Sequence, residues 1–241
     1  MNRRQFIGRT AALGTGLGTL AGSGTLFAAN APENKSDKSS ARKLTPPGNG
    51  PITVAIVVSR GVNVIDFSGP WGVFESVSLP NVDQPPFRLL AVAESADVVT
   101  SASGLKIQPH HTFADVGKVN VVVIPAQSGS EAMREWLRKT VESTDVTMSV
   151  CTGAFHLAKA GLLKGLEATT HHEFLDELEK NYPDIRVKRG VRFVENDKVS
   201  TAGGLTSGTD LSLRVVERYF GREQAKATAL YMEYRGTEWM A

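Results

Sequence analysis

From residue 52 onward, short apolar runs alternate with longer stretches of mixed character. Ile52-Thr-Val-Ala-Ile-Val-Val58 and Val119-Asn-Val-Val-Val-Ile-Pro125 are almost continuously apolar and rich in β-branched residues. Runs of that length and composition predict strands buried on both faces. Residues 87–92 and 146–150 have the same character, and residues 98–99 and 105–107 alternate around Ser-Ala-Ser-Gly104 as a hairpin does. Val187, residues 191–194 and residues 199–201 are also strand-like. Helical patterns fill the intervals. Residues 62–75 read as helical in their second half, with Pro70 in a first turn. Residues 131–142 are amphipathic, and residues 154–160 end at Gly161, a C-terminal stop. A helix follows His171 and His172 through Leu178, and further helices span residues 210–220 and 223–234. On the wheel of residues 210–220, Leu211, Leu213, Val215, Val216, Tyr219 and Phe220 share one arc, with Arg214, Glu217 and Arg218 opposite. Apolar strands alternating with helices predict an α/β fold: a three-layer α/β/α sandwich around a mostly parallel, flavodoxin-like sheet.

Ligands of such sheets bind beyond the carboxyl ends of the strands. The loops at those ends carry Asp66, Ala126-Gln127-Ser128, Cys151, His171 and Gly203-Gly204-Leu205-Thr206, which one cleft can collect. Cys151 is the only cysteine in the chain and stands where an apolar strand turns into a helix. A buried structural cysteine is common, but it has no need of a tight turn. The first turn of a helix offers unpaired N–H groups and the positive end of the macrodipole, both of which favour a thiolate. The N–H groups of Thr152 and Gly153 are placed to face an anion developing on a substrate.

The composition changes this picture at the two ends only. The chain has 241 residues, 41% hydrophobic, with a formal net charge of +2. That suits one globular domain of about 190 residues, and the charge balance offers no electrostatic footprint for nucleic acid. Residues 1–31 read as a twin-arginine export signal: Arg3-Arg4-Gln5-Phe6, a weakly apolar run over residues 11–29, and small residues before Pro32. The expected location is the periplasm or outside the cell, with no stable membrane insertion once the signal is cleaved. Residues 32–50 are rich in Asn, Lys, Ser, Pro and Gly and read as a flexible tether, leaving residues 51–241 for the domain.

Four motifs occur in order: Asp66-x-x-Gly69-Pro70-x-x-Val73-Phe74, Cys151-Thr152-Gly153-Ala154, Gly161-Leu162-Leu163-x-Gly165-x-x-Ala168-Thr169-Thr170-His171, and Gly203-Gly204-Leu205-Thr206-Ser207-Gly208-x-Asp210. Together they resemble the PfpI/ThiJ superfamily, which shares the class I glutamine-amidotransferase-like fold. The likeness runs from about Ile52 to Phe220 and leans toward the branch of isonitrile hydratase and of the sensor domains of some AraC-type regulators. The resemblance implies Cys151 as nucleophile, Asp66 as its acidic partner and Thr152 as an oxyanion N–H donor. The peptidase-like branch has His where this chain has Thr152. The family usually reads Pro-Gly-Gly after the third strand, whereas this chain reads Pro125-Ala126-Gln127, so a second oxyanion donor at Ala126 or Gln127 is an open point. The superfamily commonly dimerises, so a homodimer is a possible assembly.

Asp66 also fits an ordinary helix cap. If it touches the sulfur, two acidic groups in contact raise one pKa and set a proton donor beside the thiol. His171 is a candidate base or substrate contact, Gly153, Leu205 and Thr206 are candidate substrate contacts, and Thr206 and Ser207 also read as helix caps. His110 and His111 fall in a loop. The five histidines show no metal-ligand spacing and the glycine-rich turn lacks a phosphate-loop lysine, so neither metal nor cofactor is expected. Three functions stay open: a cysteine-dependent hydratase or hydrolase of a small molecule, an amidase, deglycase or glyoxalase-like enzyme, and a non-enzymatic ligand-binding or redox-sensing module. An exported chain without a reader domain argues against DNA binding.

Overall fold

The computed structural model describes residues 41–241. The predicted export signal over residues 1–31 and the start of the predicted tether lie outside the described residues.

Five strands form the parallel body of the sheet: β1 (Ile52–Val57), β2 (Phe87–Ala93), β6 (Val121–Ile124), β7 (Val146–Ser149) and β11 (Val199–Ala202). With a two-residue edge strand β5 (His111–Thr112) and an antiparallel edge strand β10 (Phe193–Val194), the order is β10-β11-β7-β6-β1-β2-β5. Numbered among themselves, the five parallel strands run 2-1-3-4-5, the flavodoxin order. Its switch point, where the chain leaves β1 to opposite sides, lies between β1 and β6. The short β3 (Val99–Thr100) and β4 (Lys106–Ile107) form the predicted hairpin, and β8 (Glu167–Ala168) pairs in parallel with β9 (Arg186–Val187) as a separate ribbon.

The strands are apolar throughout because helices cover both faces. Successive side chains on β1 point to opposite sides. Val54 and Ile56 join the core under α1 (Val64–Glu75), α5 (Ser207–Phe220) and α6 (Arg222–Tyr231). Ala55 and Val57 join the core under α2 (Glu131–Thr140), α3 (Ala154–Lys159) and α4 (Leu175–Asn181). The three-layer sandwich expected from the sequence is the observed fold.

Several boundaries differ, each for a local reason. Helix α1 starts at Val64, since the Asn63 side chain accepts the Ile65 N–H at 3.2 Å. Asn63 is therefore the cap, Asp66 is not, and Pro70 lies in the helix interior instead of its first turn. Helix α5 starts at Ser207, three residues early, and its polar side is not solvated. Arg218 is buried, donating from Nε to the Arg42 carbonyl at 3.0 Å and from Nη2 to the Asp197 carbonyl at 2.7 Å. The same contact revises the tether: Leu44 is buried and its N–H bonds the Arg218 carbonyl at 2.8 Å, so residues 42–44 are strapped to the domain. His111, expected in a loop, pairs with Val92 at the sheet edge.

Candidate active site

Cys151 stands just beyond the end of β7, after Val150, and opens a 3₁₀ turn, Cys151–Gly153, that feeds α3. Its φ is +57°, a left-handed conformation that a non-glycine residue adopts at a cost of about 1–2 kcal/mol. Backbone bonds hold it there. The Cys151 N–H donates to the Gly203 carbonyl at 2.8 Å, and the Thr170 hydroxyl donates to the Cys151 carbonyl at 2.9 Å. The turn is possible because Gly153 has no side chain. A Cβ there would lie 2.0 Å from the Ile124 carbonyl oxygen.

The sulfur belongs to a residue only 7% exposed, at the junction of α1, β7 and the loop before α5. The backbone N–H groups of Thr152 and Leu205 and the Thr152 hydroxyl lie close enough to favour its anion. Leu205 carries a second left-handed backbone, at φ +50°. Two of the strained non-glycine residues thus meet at one atom. The Gly153 N–H, expected to face a substrate, instead closes the 3₁₀ turn on the Val150 carbonyl at 3.0 Å. The Leu205 N–H takes the place expected for it.

Asp66, in the first turn of α1, is fully buried. Its Oδ2 accepts the Ala126 N–H at 3.0 Å. Its Oδ1 has no hydrogen-bond partner, and the Cys151 thiol is the side chain that acts on the carboxyl. Burial pushes the Asp66 pKa up to about 6, against the opposing pull of the Ala126 N–H and the thiol. The Cys151 pKa is raised as well, by burial first and by the Asp66 charge second, against the Thr152 and Leu205 N–H groups and the Thr152 hydroxyl. The thiolate expected from the helix terminus is therefore not the resting state. Near pH 7 the pair is a carboxylate beside a thiol and shares one proton.

The other expected contacts sit elsewhere. The Ala126 N–H is occupied by Asp66, so it is not free to meet an oxyanion. The Gln127 side chain turns to the end of β1, accepting the Ser59 N–H at 2.6 Å and donating to the Val57 carbonyl at 3.1 Å. His171 packs its ring on Gly204, where a Cβ would lie 2.5 Å from His171 Cδ2, and its Nδ1 accepts the Glu173 N–H at 3.4 Å. His171, His172, Arg192, Leu205 and Thr206 instead line a neighbouring cavity of about 440 Å³. Thr206 occupies the cap position of α5 without capping it, and its hydroxyl accepts from Arg192 Nη2 at 3.1 Å.

One network has no signature in the sequence. Asp210, fully buried, takes both Nε and Nη2 of Arg192 on Oδ2, at 2.8 and 2.6 Å, and the Tyr234 hydroxyl on Oδ1 at 2.8 Å. It anchors the Leu205 loop from behind. Asp210 stands in the fourth motif, but nothing near it in sequence points to Arg192 or Tyr234.

A strained cysteine at a strand-to-helix turn, with an acidic partner from the helix after β1, is set on a flavodoxin-ordered sheet. A model of the DJ-1/PfpI family matches residues 52–218. The chain belongs to the DJ-1/PfpI family. It is 32% identical over 189 residues to isonitrile hydratase from Pseudomonas putida, covering 76% of this chain and 78% of that protein. It is 26% identical over 145 residues to the HTH-type transcriptional regulator CdhR from Pseudomonas aeruginosa, covering 58% of this chain and 43% of the regulator. Among solved structures, a THiJ/PfpI family protein from Pseudomonas syringae matches with a TM-score of 0.69 at 27% identity, covering 86% of this chain and 83% of that one. Drosophila melanogaster DJ-1beta shares the fold, with a TM-score of 0.68 at 17% identity, over 78% of this chain and all of that one. Enzymes and regulators thus both occur among the relatives.

Proposed function

We propose that this protein is a cysteine-dependent hydratase of small isonitrile-like electrophiles, with Cys151 as nucleophile and Asp66 as proton carrier. The observation that carries the reading is the fully buried Asp66 carboxyl, which keeps one unpartnered oxygen, Oδ1, and is coupled to the Cys151 thiol. Leaving such an atom unsatisfied costs about 1–3 kcal/mol, which a group that exchanges protons at this point recovers during the reaction. The coverage of the sulfur adds to it. A residue 7% exposed, absent from the lining of the adjacent 440 Å³ cavity, admits a slender terminal carbon more readily than a peptide.

The Asp66 carboxylate takes the thiol proton while Sγ forms a bond to the terminal carbon of R–NC. Protonated Asp66 then delivers that proton to the same carbon, giving the thioimidate R–N=CH–S–Cys151. Water adds to this carbon, passing one proton to the nitrogen by way of Asp66. The C–S bond breaks, the hydroxyl proton returns to the sulfur, and R–NH–CHO leaves. The N–H groups of Thr152 and Leu205 stabilise the sulfur whenever it is anionic.

The test uses the full chain with tert-butyl isonitrile, following formamide appearance by NMR. Formamide production that disappears in Cys151→Ala and in Asp66→Asn supports the reading. Unchanged turnover in Cys151→Ala refutes it. The redox-sensor alternative is weaker here, because a buried thiol with a raised pKa reacts slowly with peroxide. The twin-arginine pattern supports a periplasmic or secreted site of action.

A further inference from the structure

We propose that Gln127 is a positioning residue: its side-chain amide completes the end of the β1 ladder and thereby holds the Ala126 N–H on Asp66. The proposal rests on the reading of Asp66 as the proton carrier.

The β1–β6 register covers Val54 to Ile56 and stops there, because the chain turns away after Ile124. On the side of β1 that β6 has left, Val57 still offers a carbonyl and Ser59 an N–H. The Gln127 amide supplies both complements, accepting the Ser59 N–H at 2.6 Å and donating to the Val57 carbonyl at 3.1 Å. A side chain thus stands in for the next peptide group of the missing strand. The loop is sewn to the β1–α1 turn on both sides of this point. The Asn63 N–H donates to the Ala126 carbonyl at 2.9 Å, and the Ser128 N–H donates to the Arg60 carbonyl at 3.0 Å. The Ser59 hydroxyl also donates to the Ser128 carbonyl.

Gln127 is gripped at its backbone too. His156 Nε2 lies 3.0 Å from the Gln127 carbonyl oxygen and donates to it, while its Nδ1 is buried without a partner. Burial holds the imidazole neutral, which suits that single donation. Both ends of Gln127 are therefore fixed, one on β1 and one on α3. The residue before it is left with one place for its N–H, on Asp66 Oδ2 at 3.0 Å. Among the described residues, Cys151 is the one titratable group acting on Asp66, so the Ala126 N–H is the principal adjustable influence from the β6 side.

The test is the pH profile of Cys151 alkylation by iodoacetamide in the full chain, wild type against Gln127→Met, which keeps length and removes both amide bonds. In the wild type the rate is expected to climb with pH and level off near pH 6, where Asp66 ionises. The Met variant is expected to level off about half a unit to one unit higher, since the lost Ala126 N–H no longer favours the carboxylate. A levelling point that stays in place while the melting temperature drops would show a structural role only and overturns the proposal. A wild type without any levelling near pH 6 overturns the Asp66 reading and this inference with it. If the Met variant does not fold, amide exchange in the wild type decides: Ser59 and Ala126 N–H groups that open in one event support the proposal, and independent opening refutes it.

Discussion

Replacing Asp66 with Asn separates the reactivity of the sulfur from its usefulness. Asn matches Asp in shape, and its carbonyl oxygen has to face the Ala126 N–H that Oδ2 now accepts at 3.0 Å. The amide NH₂ then occupies the position of the unpartnered Oδ1. Two influences on the sulfur change together. A neighbouring negative charge disappears, and a donor arrives. Two unit charges about 4 Å apart interact by about 4 kcal/mol at an effective dielectric constant of about 20, so a neighbouring charge matters greatly to a buried thiol. Screening by solvent is small for a fully buried carboxyl beside a 7% exposed cysteine. The thiol pKa is therefore expected to fall, and iodoacetamide alkylation at pH 8 to quicken by at least about tenfold. Intact-mass kinetics from pH 5 to 10 read this directly. The profile should also lose its level region. In the wild type, between the two titrations, the thiolate exists only as the tautomer in which Asp66 holds the proton, and that population does not vary with pH. Isonitrile turnover in the same variant moves the other way, to background, because nothing returns a proton to carbon. Equal or slower alkylation in Asp66→Asn than in the wild type would refute the coupling of the two groups.

Three further outcomes are expected. The Asp66 carboxyl titrates near 3.8 when unfolded and at about 6 in the fold, so the native state holds a proton that the unfolded chain has released between those values. Wild-type stability is then lost as pH rises through that window, by about 3 kcal/mol in total, whereas Asp66→Asn lacks the loss; urea melts at pH 4 and pH 8 compare them. Gly153→Ala drives a Cβ against the Ile124 carbonyl and is expected to cost more than about 3 kcal/mol or to abolish folding, read by circular dichroism and urea melts. Replacing Arg3 and Arg4 together with Lys is expected to retain the protein in the cytoplasm on fractionation, and unchanged export would remove the twin-arginine assignment.

The sheet was legible because its strands are apolar on both faces. Ile52–Val57 and Val121–Ile124 carry no alternation, and a run that is buried on both sides has to lie between two helical layers. Cys151 was legible for a related reason, since a strand meeting Thr152-Gly153 leaves room only for an abrupt turn. What stayed hidden depends on partners distant in sequence. Nothing in Gln127 itself announces a ladder bond to Ser59, 68 residues earlier. The Gly153 N–H looked free because a helix start leaves N–H groups unpaired, but the turn is 3₁₀ and uses that N–H on Val150. The protonation state was misjudged on magnitude. Helix-terminal amides favour a thiolate, yet burial and an adjacent carboxylate outweigh them. A sequence shows the amides and not the depth.

These opposed influences explain why the site keeps its strain. Burial and the Asp66 charge hold the sulfur as a thiol, and the Thr152 and Leu205 N–H groups favour the anion. With only the first pair the cysteine would be inert. With only the second it would be a standing thiolate, open to oxidation by peroxide. On the proposed mechanism, together they confine the anion to the moment when Asp66 takes the proton. Leu205, whose N–H favours that anion, is left-handed at φ +50°, and Cys151 sits at the turn at φ +57°. Neither conformation survives on local preference. The Cys151 backbone is held by the Gly203 carbonyl and the Thr170 hydroxyl. The Leu205 loop is held by Arg192, which reaches both Thr206 and the buried Asp210 that Tyr234 also grips. The Arg192–Asp210–Tyr234 network therefore acts on the sulfur at one remove, by keeping one N–H aimed at it.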